Sequence, residues 1–346
     1  MSGRTAASVR LGKRLAAGVM GVLLGASGAL AWDGHGHRMI TAMALDGVAL
    51  HPGMPGWLQE AGVRARCLYQ SSEADRWRGQ RTAQLVNENN PDHYLDIEDL
   101  EQFGLTLRTM PPLRSEYIKM MAVAKAEHPE RFGSYKPALD PFRDKEFPGF
   151  VAHSIMEHYA KLQASFRTLR ILEALEEAGR ADQVEQARNN VVYHIGMLSH
   201  FVGDAAQPLH TTRHFNGWAE AAGTAGNPRG YTTSNRFHAY IDGGVIETHG
   251  LTYEALRPMA TFERCVSTSD PWEDVLAHLE RSFAHVEDLY RMELEGTLDA
   301  GPGRELIERR LLDGADMLHA MIVAAWLSSE PDGGEIRRFS GWTPRD

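Results

Sequence analysis

The stretch Val191-Val-Tyr-His-Ile-Gly-Met-Leu-Ser-His200-Phe-Val-Gly-Asp204-Ala-Ala-Gln-Pro-Leu-His210 predicts a buried helix that ends in a group of polar side chains. Apolar residues occupy several faces of this helix, which is typical of a helix surrounded by protein. His200 and Asp204 are four residues apart, so a helix brings their side chains together on one face. Pro208 ends the helix, and His210 is then free to turn back toward the same place.

Helical patterns extend over nearly all of the remaining chain. The predicted helices are Arg38–Val48, Leu113–Lys125, Gly149–Gly179, Ala181–Val202, Asn235–Ile246, Pro271–Leu294 and Arg304–Ser328. Prolines break residues 51–112 into short helical pieces, and segments 131–148 and 213–234 are predicted loops. We see no long strand pattern, repeat or domain linker, and therefore predict an all-α fold. It would be a single helical domain over residues 32–329, followed by a polar C-terminal tail over residues 330–346.

Residues 1–31 have the features of a cleavable secretory signal. Basic residues from Arg4 to Arg14 precede the apolar run Leu15–Leu24, and the segment ends in Ala29-Leu30-Ala31. The run is short and Gly-rich, whereas a membrane span needs roughly 20 apolar residues. We therefore expect cleavage before Trp32, a secreted or periplasmic protein, and no transmembrane segment in the mature chain. An uncleaved N-terminal anchor is the alternative.

The composition restricts the kinds of site that the chain can build. The formal net charge of the 346 residues is −10, and removal of the four basic signal residues would change it to −14. This balance argues against a protein that grips nucleic acid with lysine and arginine. The chain has 16 histidines and two cysteines, so a metal would be held by histidine and carboxylates. Cys67 and Cys265 either form one disulfide in an exported protein or stay unpaired.

Histidine and aspartate recur at the spacing of metal ligands. His238 and Asp242 repeat the four-residue spacing, which is a standard way of presenting two ligands to zinc. One such pair on a surface helix is more often a salt bridge. Two pairs with His210 in an apolar context need a compensating partner when they are buried. Asp75 and His93 are further candidates, although each alone is also typical of a helix cap or a turn.

In chain order, these motifs resemble those of a known family. The motifs are Trp32-x4-His37, Ala74-Asp75-x2-Arg78, His93-Tyr-Leu-Asp96, His200-x3-Asp204-x5-His210 and His238-x3-Asp242. They resemble the zinc-dependent nuclease and phospholipase C superfamily, and most closely its single-strand-specific nucleases of the S-one/P-one type. The block Gly203-Asp204-x2-Gln207-Pro208-x-His210 is the most specific of them. Residues 99–150 depart from anything in the family that we can align.

The resemblance implies an all-α domain of the phospholipase C and single-strand nuclease type with a trinuclear zinc site. It assigns Asp75, His93, His200 and Asp204 to the first zinc ion. The second ion would be held by the amino group and carbonyl oxygen of Trp32, with His37 and Asp204. The third would be held by His210, His238 and Asp242. The carboxylate of Asp204 would bridge the first two ions.

The resemblance also implies roles at the substrate. Arg78 would contact the scissile phosphodiester, and with Asp75 and Asp204 it forms the expected catalytic set. Tyr94 and Asp96 would stack on and hydrogen-bond a base. A pair of metal ions lowers the pKa of bound water enough to supply hydroxide near neutral pH. The ions would also give an acidic protein the local positive charge that a polyanion requires.

These expectations define three candidate functions. The first is an exported, zinc-dependent endonuclease that cleaves single-stranded DNA or RNA to 5′-phosphate products and also acts as a 3′-nucleotidase. Its partners would be single-stranded nucleic acid or nucleotides, with no stable protein partner implied. The second is a zinc-dependent phospholipase C acting on phospholipid head groups. The third is a helical protein with structural zinc, although structural zinc sites usually leave no coordination position open.

Overall fold

The chain folds almost entirely into helices. The computed structural model describes residues 32–133, 136, 138, 140–175 and 180–340. The predicted signal segment 1–31 lies outside these residues. In the described part of the chain, the only β-type pairing is an isolated antiparallel bridge between Leu95 and Gly149. The prediction of an all-α fold is therefore confirmed.

Fourteen α-helices are present in the described residues. In chain order they are α1 Gly34–Leu50, α2 Ala61–Gln70, α3 Glu73–Arg78, α4 Ala83–Asn89, α5 Arg114–Glu127, α6 Val151–Leu175, α7 Ala181–Ala206, α8 Phe237–Ala239, α9 Val245–His249, α10 Tyr253–Leu256, α11 Trp272–Phe283, α12 Val286–Leu294, α13 Gly301–Leu327 and α14 Gly333–Ser340. Short 3₁₀ segments join several of them. Two of these, Asn90–His93 and Pro208–Thr211, carry residues of the candidate site.

Helix α7 lies at the centre of the domain. It packs against α1, α2, α6 and α13, and every residue from Ile195 to Ala206 is buried. Glycines allow the closest approaches, since a Cβ added to Gly196 would overlap Gln70 of α2, and one added to Gly203 would press on His37 of α1. The C-terminal half of α7 therefore holds His200 and Asp204 in the interior, where neither meets water.

The structure differs from the predicted helices at three places. The predicted helix Asn235–Ile246 is instead α8, a π-helical turn over Tyr240–Gly244, and α9. The predicted helix Pro271–Leu294 is two helices that meet at Ala284 and His285, because the apolar spacing continues across a break that no proline marks. The predicted polar tail begins with α14, which packs on α6 through Phe339 and an Arg167–Glu335 ion pair of 3.3 Å.

The two cysteines do not pair. Cys67 is buried in α2, whereas Cys265 is exposed, and both are free thiols. The sequence leaves open whether the two cysteines form a disulfide or stay unpaired, and in the structure they are unpaired. Within the parts of the chain that the structure describes, no helix combines the length and hydrophobicity that crossing a bilayer requires.

Candidate metal centre

The end of α7 brings the first two predicted ligands together. His200 and Asp204 lie one turn apart and fully buried, with 3.4 Å between His200 Nε2 and Asp204 Oδ2. Pro208 then starts the 3₁₀ segment Pro208–Thr211, which carries His210 back toward the same interior space. The arrangement that the sequence predicts for this stretch is the arrangement found.

The 3₁₀ segment Asn90–His93 and helix α3 supply two more side chains. His93 Nδ1 lies 3.0 Å from Asp204 Oδ2 and 3.0 Å from His200 Nε2. Asp75 Oδ1 lies 4.0 Å from His93 Nδ1 and 3.9 Å from His200 Nε2. We call Asp75, His93, His200 and Asp204 the His93 group. These four are the residues that the resemblance assigns to one zinc ion.

His37 of α1 approaches from the other side of Asp204. Its Nε2 lies 3.3 Å from Asp204 Oδ1, and its ring stacks on that of His200 with 4.2 Å between the centroids. Asp204 therefore directs one carboxylate oxygen at His37 and the other at the His93 group. This is the geometry expected of a carboxylate that bridges two ions.

Trp32 is placed close to the cluster by its neighbours. Its side chain is completely buried and packs beside Gly36 at the start of α1. The adjacent backbone N–H of Asp33 donates to the carbonyl oxygen of Asp242 over 3.0 Å. The predicted role of the Trp32 amino group stays a prediction, since it depends on cleavage between residues 31 and 32.

The remaining predicted ligands form a separate cluster, which we call the His238 group: His210, His238 and Asp242. Its ligand atoms all lie within 4.8 Å of one another. His238 Nε2 is 3.5 Å from Asp242 Oδ2, and the rings of His210 and His238 meet edge to face at 4.9 Å. Asp242 lies in the π-helical turn Tyr240–Gly244, a feature that often marks functional sites.

Many buried polar atoms of these groups have no hydrogen-bond partner. They include His37 Nε2, Asp75 Oδ1, Asp204 Oδ1, His210 Nε2, His238 Nε2 and Asp242 Oδ2. A buried polar atom left unpaired destabilises a fold by about 1–3 kcal/mol, and such atoms are rare. Imidazole nitrogens and carboxylate oxygens at this density are the donor set that zinc prefers. The residues present therefore fit bound metal ions.

Hydrogen bonds on the far side of the rings turn the free nitrogens inward. His200 Nδ1–H donates to the carbonyl oxygen of Ser71 over 2.8 Å, and His210 Nδ1–H donates to that of His93 over 2.6 Å. Gln207 Nε2 donates to Asp242 Oδ1 over 2.8 Å, so Asp242 keeps Oδ2 free. Partners of this kind fix the tautomer and orientation of metal ligands.

Burial shifts the ionisation of the cluster strongly. It lowers the pKa of His37 to about 4 and that of His238 to about 3, and it lowers the pKa of His93 well below its usual range. Burial also raises the pKa of Asp204 and of Asp242 well above the usual value. The histidines are therefore neutral and able to ligate a metal at physiological pH.

A cleft of about 980 Å³ opens beside the cluster. Arg78, His93, His210 and His238 line its inner end. The predicted base-binding residues Tyr94 and Asp96 also line it, and Asp96 Oδ1 is buried without a hydrogen-bond partner. The structure therefore brings together every side chain that the sequence predicts for the site.

The sequence does not predict Phe215, an aromatic residue of this cleft. Phe215 lies near-parallel to Tyr94, with 6.5 Å between ring centroids and 21° between planes, and it also contacts His238. It belongs to the Gly-rich loop 213–234, which no periodic pattern describes. The sequence feature that points to Phe215 is its position five residues after the predicted ligand His210.

Replacement of Gly203 by alanine should weaken metal binding at His37. The added Cβ would lie 2.8 Å from His37 Nδ1, so the ring must move away from Asp204. A displacement of about 1 Å in a catalytic site can lower activity about a hundred-fold. We expect a fall of that order, with a loss of bound zinc measured by elemental analysis. Gly314→Ala, where the new Cβ meets only apolar Ala206 and Ile40, is the control and should keep its zinc. Full zinc content in Gly203→Ala would contradict the placement of His37.

No protein-family model and no curated protein matches this chain.

Proposed function

We propose that this protein is an exported, zinc-dependent endonuclease that hydrolyses single-stranded DNA or RNA to 5′-phosphate products and also acts as a 3′-nucleotidase. One observation carries the proposal: unpaired histidine and aspartate atoms converge at the inner end of a cleft that also contains Arg78 and two flat aromatic rings. The motifs that resemble the S-one/P-one nucleases supply most of these residues. Export follows from the predicted signal segment.

The His93 group, His37 with Asp204, and the His238 group would each hold one zinc ion. When bound, such ions polarise phosphate oxygens and lower the pKa of water. The protein itself supplies the positioning of these ligands. Hydrogen bonds from His200 and His210 to backbone carbonyls keep the ligands in place before substrate arrives. Since the ligands are pre-positioned in a buried site, little reorganisation is needed during the reaction.

Arg78 is placed to receive the phosphate. Its Nη1 is buried without a hydrogen-bond partner and lies 3.8 Å from Asp75 Oδ1, so Asp75 positions it at the edge of the cluster. A guanidinium with free N–H groups can donate to two phosphate oxygens at once. It would therefore orient the phosphodiester and stabilise the charge that builds up on its oxygens.

The part of the cleft next to the candidate metal ligands suits an unpaired base. Tyr94 and Phe215 offer aromatic surfaces next to His93 and His238, and bases of any sequence stack on such surfaces. Burial raises the pKa of Asp96 well above its usual range, so this carboxyl can donate as well as accept a hydrogen bond with a base edge. Bases in a duplex are already stacked and paired, which favours single-stranded substrates.

The decisive experiment compares substrate classes. The purified protein, with its zinc content measured, is assayed on single-stranded DNA, single-stranded RNA, duplex DNA and phosphatidylcholine. We expect cleavage of the single strands, with 5′-phosphate ends, and slower cleavage of the duplex. Hydrolysis of phosphatidylcholine without hydrolysis of nucleic acid would establish the alternative, a phospholipase C.

Replacement of Arg78 by alanine should lower kcat strongly and leave the zinc content unchanged. Loss of one charge-stabilising donor typically reduces kcat about 10²- to 10³-fold. The measurement is steady-state kinetics on single-stranded DNA, paired with elemental analysis. Arg76→Ala is a matched control on the same helix, because Arg76 is exposed and bonds only Glu73 and the Tyr69 carbonyl. Equal activity of Arg78→Ala and wild type would contradict the role of Arg78.

A further inference from the structure

The cleft extends beyond the candidate metal centre, along a wall to which residues 99–103, 125–133 and 144–148 contribute. Three half-buried phenylalanines line this outer part: Phe103, Phe132 and Phe147. The rings of Phe103 and Phe132 lie 4.9 Å apart at 45°. Aromatic side chains gathered in a cleft and left in contact with solvent mark a binding site more often than a packing defect. None of the residues assigned above to metal, phosphate or base belongs to this set.

One lysine holds the three rings together. Lys125 Nζ of α5 lies 4.8 Å from the ring centroid of Phe147, 5.8 Å from that of Phe103 and 6.0 Å from that of Phe132. It also donates to the backbone carbonyl of Glu146 over 2.6 Å. The ammonium therefore ties the wall segment to helix α5. The rings are held in place before any ligand binds, which reduces the entropic cost of binding.

We infer that Phe103, Lys125, Phe132 and Phe147 form a second binding site, the distal subsite, for another base of the same single strand whose first base binds at Tyr94. This inference rests on the proposed nuclease function and extends it to a longer stretch of substrate.

Charge and geometry favour a base over the other groups that an aromatic site can bind. The Lys125 ammonium is paired with the Glu146 carboxylate at 3.6 Å and donates to the Glu146 carbonyl, so it is not free to bind a phosphate. A cationic head group is also disfavoured, because the Lys125 ammonium already occupies the position that a cation takes beside the three rings. A neutral, flat base that stacks on the rings and has a ring N–H or amino group to donate to a carboxylate meets neither obstacle.

The test uses a thymidine hexanucleotide and a set in which one base at a time is replaced by an abasic residue. In the wild type, kcat/KM should fall when the abasic residue replaces the base that binds at Tyr94, and also when it replaces the base that binds at the distal subsite. In Phe132→Ala, removal of the second of these bases should no longer lower kcat/KM. The intact hexanucleotide should lose roughly five- to a hundred-fold in kcat/KM, the range of one base–aromatic stack. A mononucleotide with a 3′-phosphate should be hydrolysed as by the wild type.

Two further variants separate stacking from damage to the wall. Phe142→Ala removes a phenylalanine of the same segment that does not line the cleft, and it should behave as wild type. Phe103→Ala should repeat the result of Phe132→Ala. If Phe132→Ala keeps both position effects, or slows the mononucleotide and the hexanucleotide equally, the distal subsite is refuted. If the wild type cleaves neither substrate, the proposed function itself fails, and the subsite fails with it.

Discussion

Under the proposed function, Asp204→Asn should lose two of the three zinc ions and nearly all nuclease activity. Oδ1 of Asp204 faces His37 Nε2 at 3.3 Å, while Oδ2 faces His93 Nδ1 at 3.0 Å. Asparagine keeps the volume but replaces one oxygen by an NH₂ group, which cannot bind a metal. It also removes the negative charge between two cations. Since both ions of the pair depend on this carboxylate, we expect at least a roughly thousand-fold loss in kcat.

The control for this result is Asp242→Asn. Asp242 belongs only to the His238 group, so its replacement should release one ion and leave two. Elemental analysis of both variants therefore distinguishes a bridging carboxylate from an ordinary ligand. Circular dichroism verifies that both variants are folded. Three zinc ions per chain in Asp204→Asn would exclude the bridging role.

The local part of the site could be predicted from the sequence, because helix geometry alone brings residues four apart onto one face. His200 with Asp204 and His238 with Asp242 are of this kind. Apolar periodicity likewise identified the buried helix α7. These features depend on near neighbours in the chain, which is the information that a single sequence carries.

The convergence of the groups could not be read from spacing. His37 reaches Asp204 because Gly203 lets α1 approach α7, and His93 reaches it through a 3₁₀ segment more than a hundred residues earlier. In the sequence, only the family resemblance connects these residues. Phe215, and Phe132 and Phe147 of the proposed distal subsite, were missed for a related reason. They lie outside the helices, so their side-chain directions follow from packing and not from a period.

The second large effect should come from metal removal. Chelation of the zinc-loaded protein should lower its Tm by roughly 10–20 °C, since each ion present at a hundred times its Kd contributes about 2.7 kcal/mol. The physical source is the set of buried atoms that have no partner other than an ion, such as His238 Nε2 and Asp242 Oδ2. Differential scanning calorimetry before and after chelation measures the change, and added zinc should reverse it.

The pH dependence of the chelated protein follows from its carboxyl groups. Burial raises the pKa of Asp204 and Asp242 well above the unfolded value, so the folded state holds protons that the unfolded state has lost. Stability is then present at low pH and is lost as pH rises through the raised pKa values. Burial lowers the pKa of His37 and His238, so these histidines destabilise the fold only where the unfolded imidazoles are protonated, and this effect fades as pH rises above about 6.5.

The stabilisation by zinc should therefore be larger at pH 8 than at pH 6.5. With ions bound, both carboxylates are ionised at either pH and are compensated by the metal, so the loaded protein has no such loss. In the chelated protein the same carboxyls keep protons that the unfolded chain has lost, so its stability falls as pH rises toward their raised pKa values, and mutual repulsion among Asp75, Asp204 and Asp242 adds to the cost of ionising them. Asp242→Asn removes one of these charges, so its chelated form should lose less stability between the two pH values. A chelated wild type as stable as the loaded protein at pH 8 would mean that this cluster does not need metal to fold.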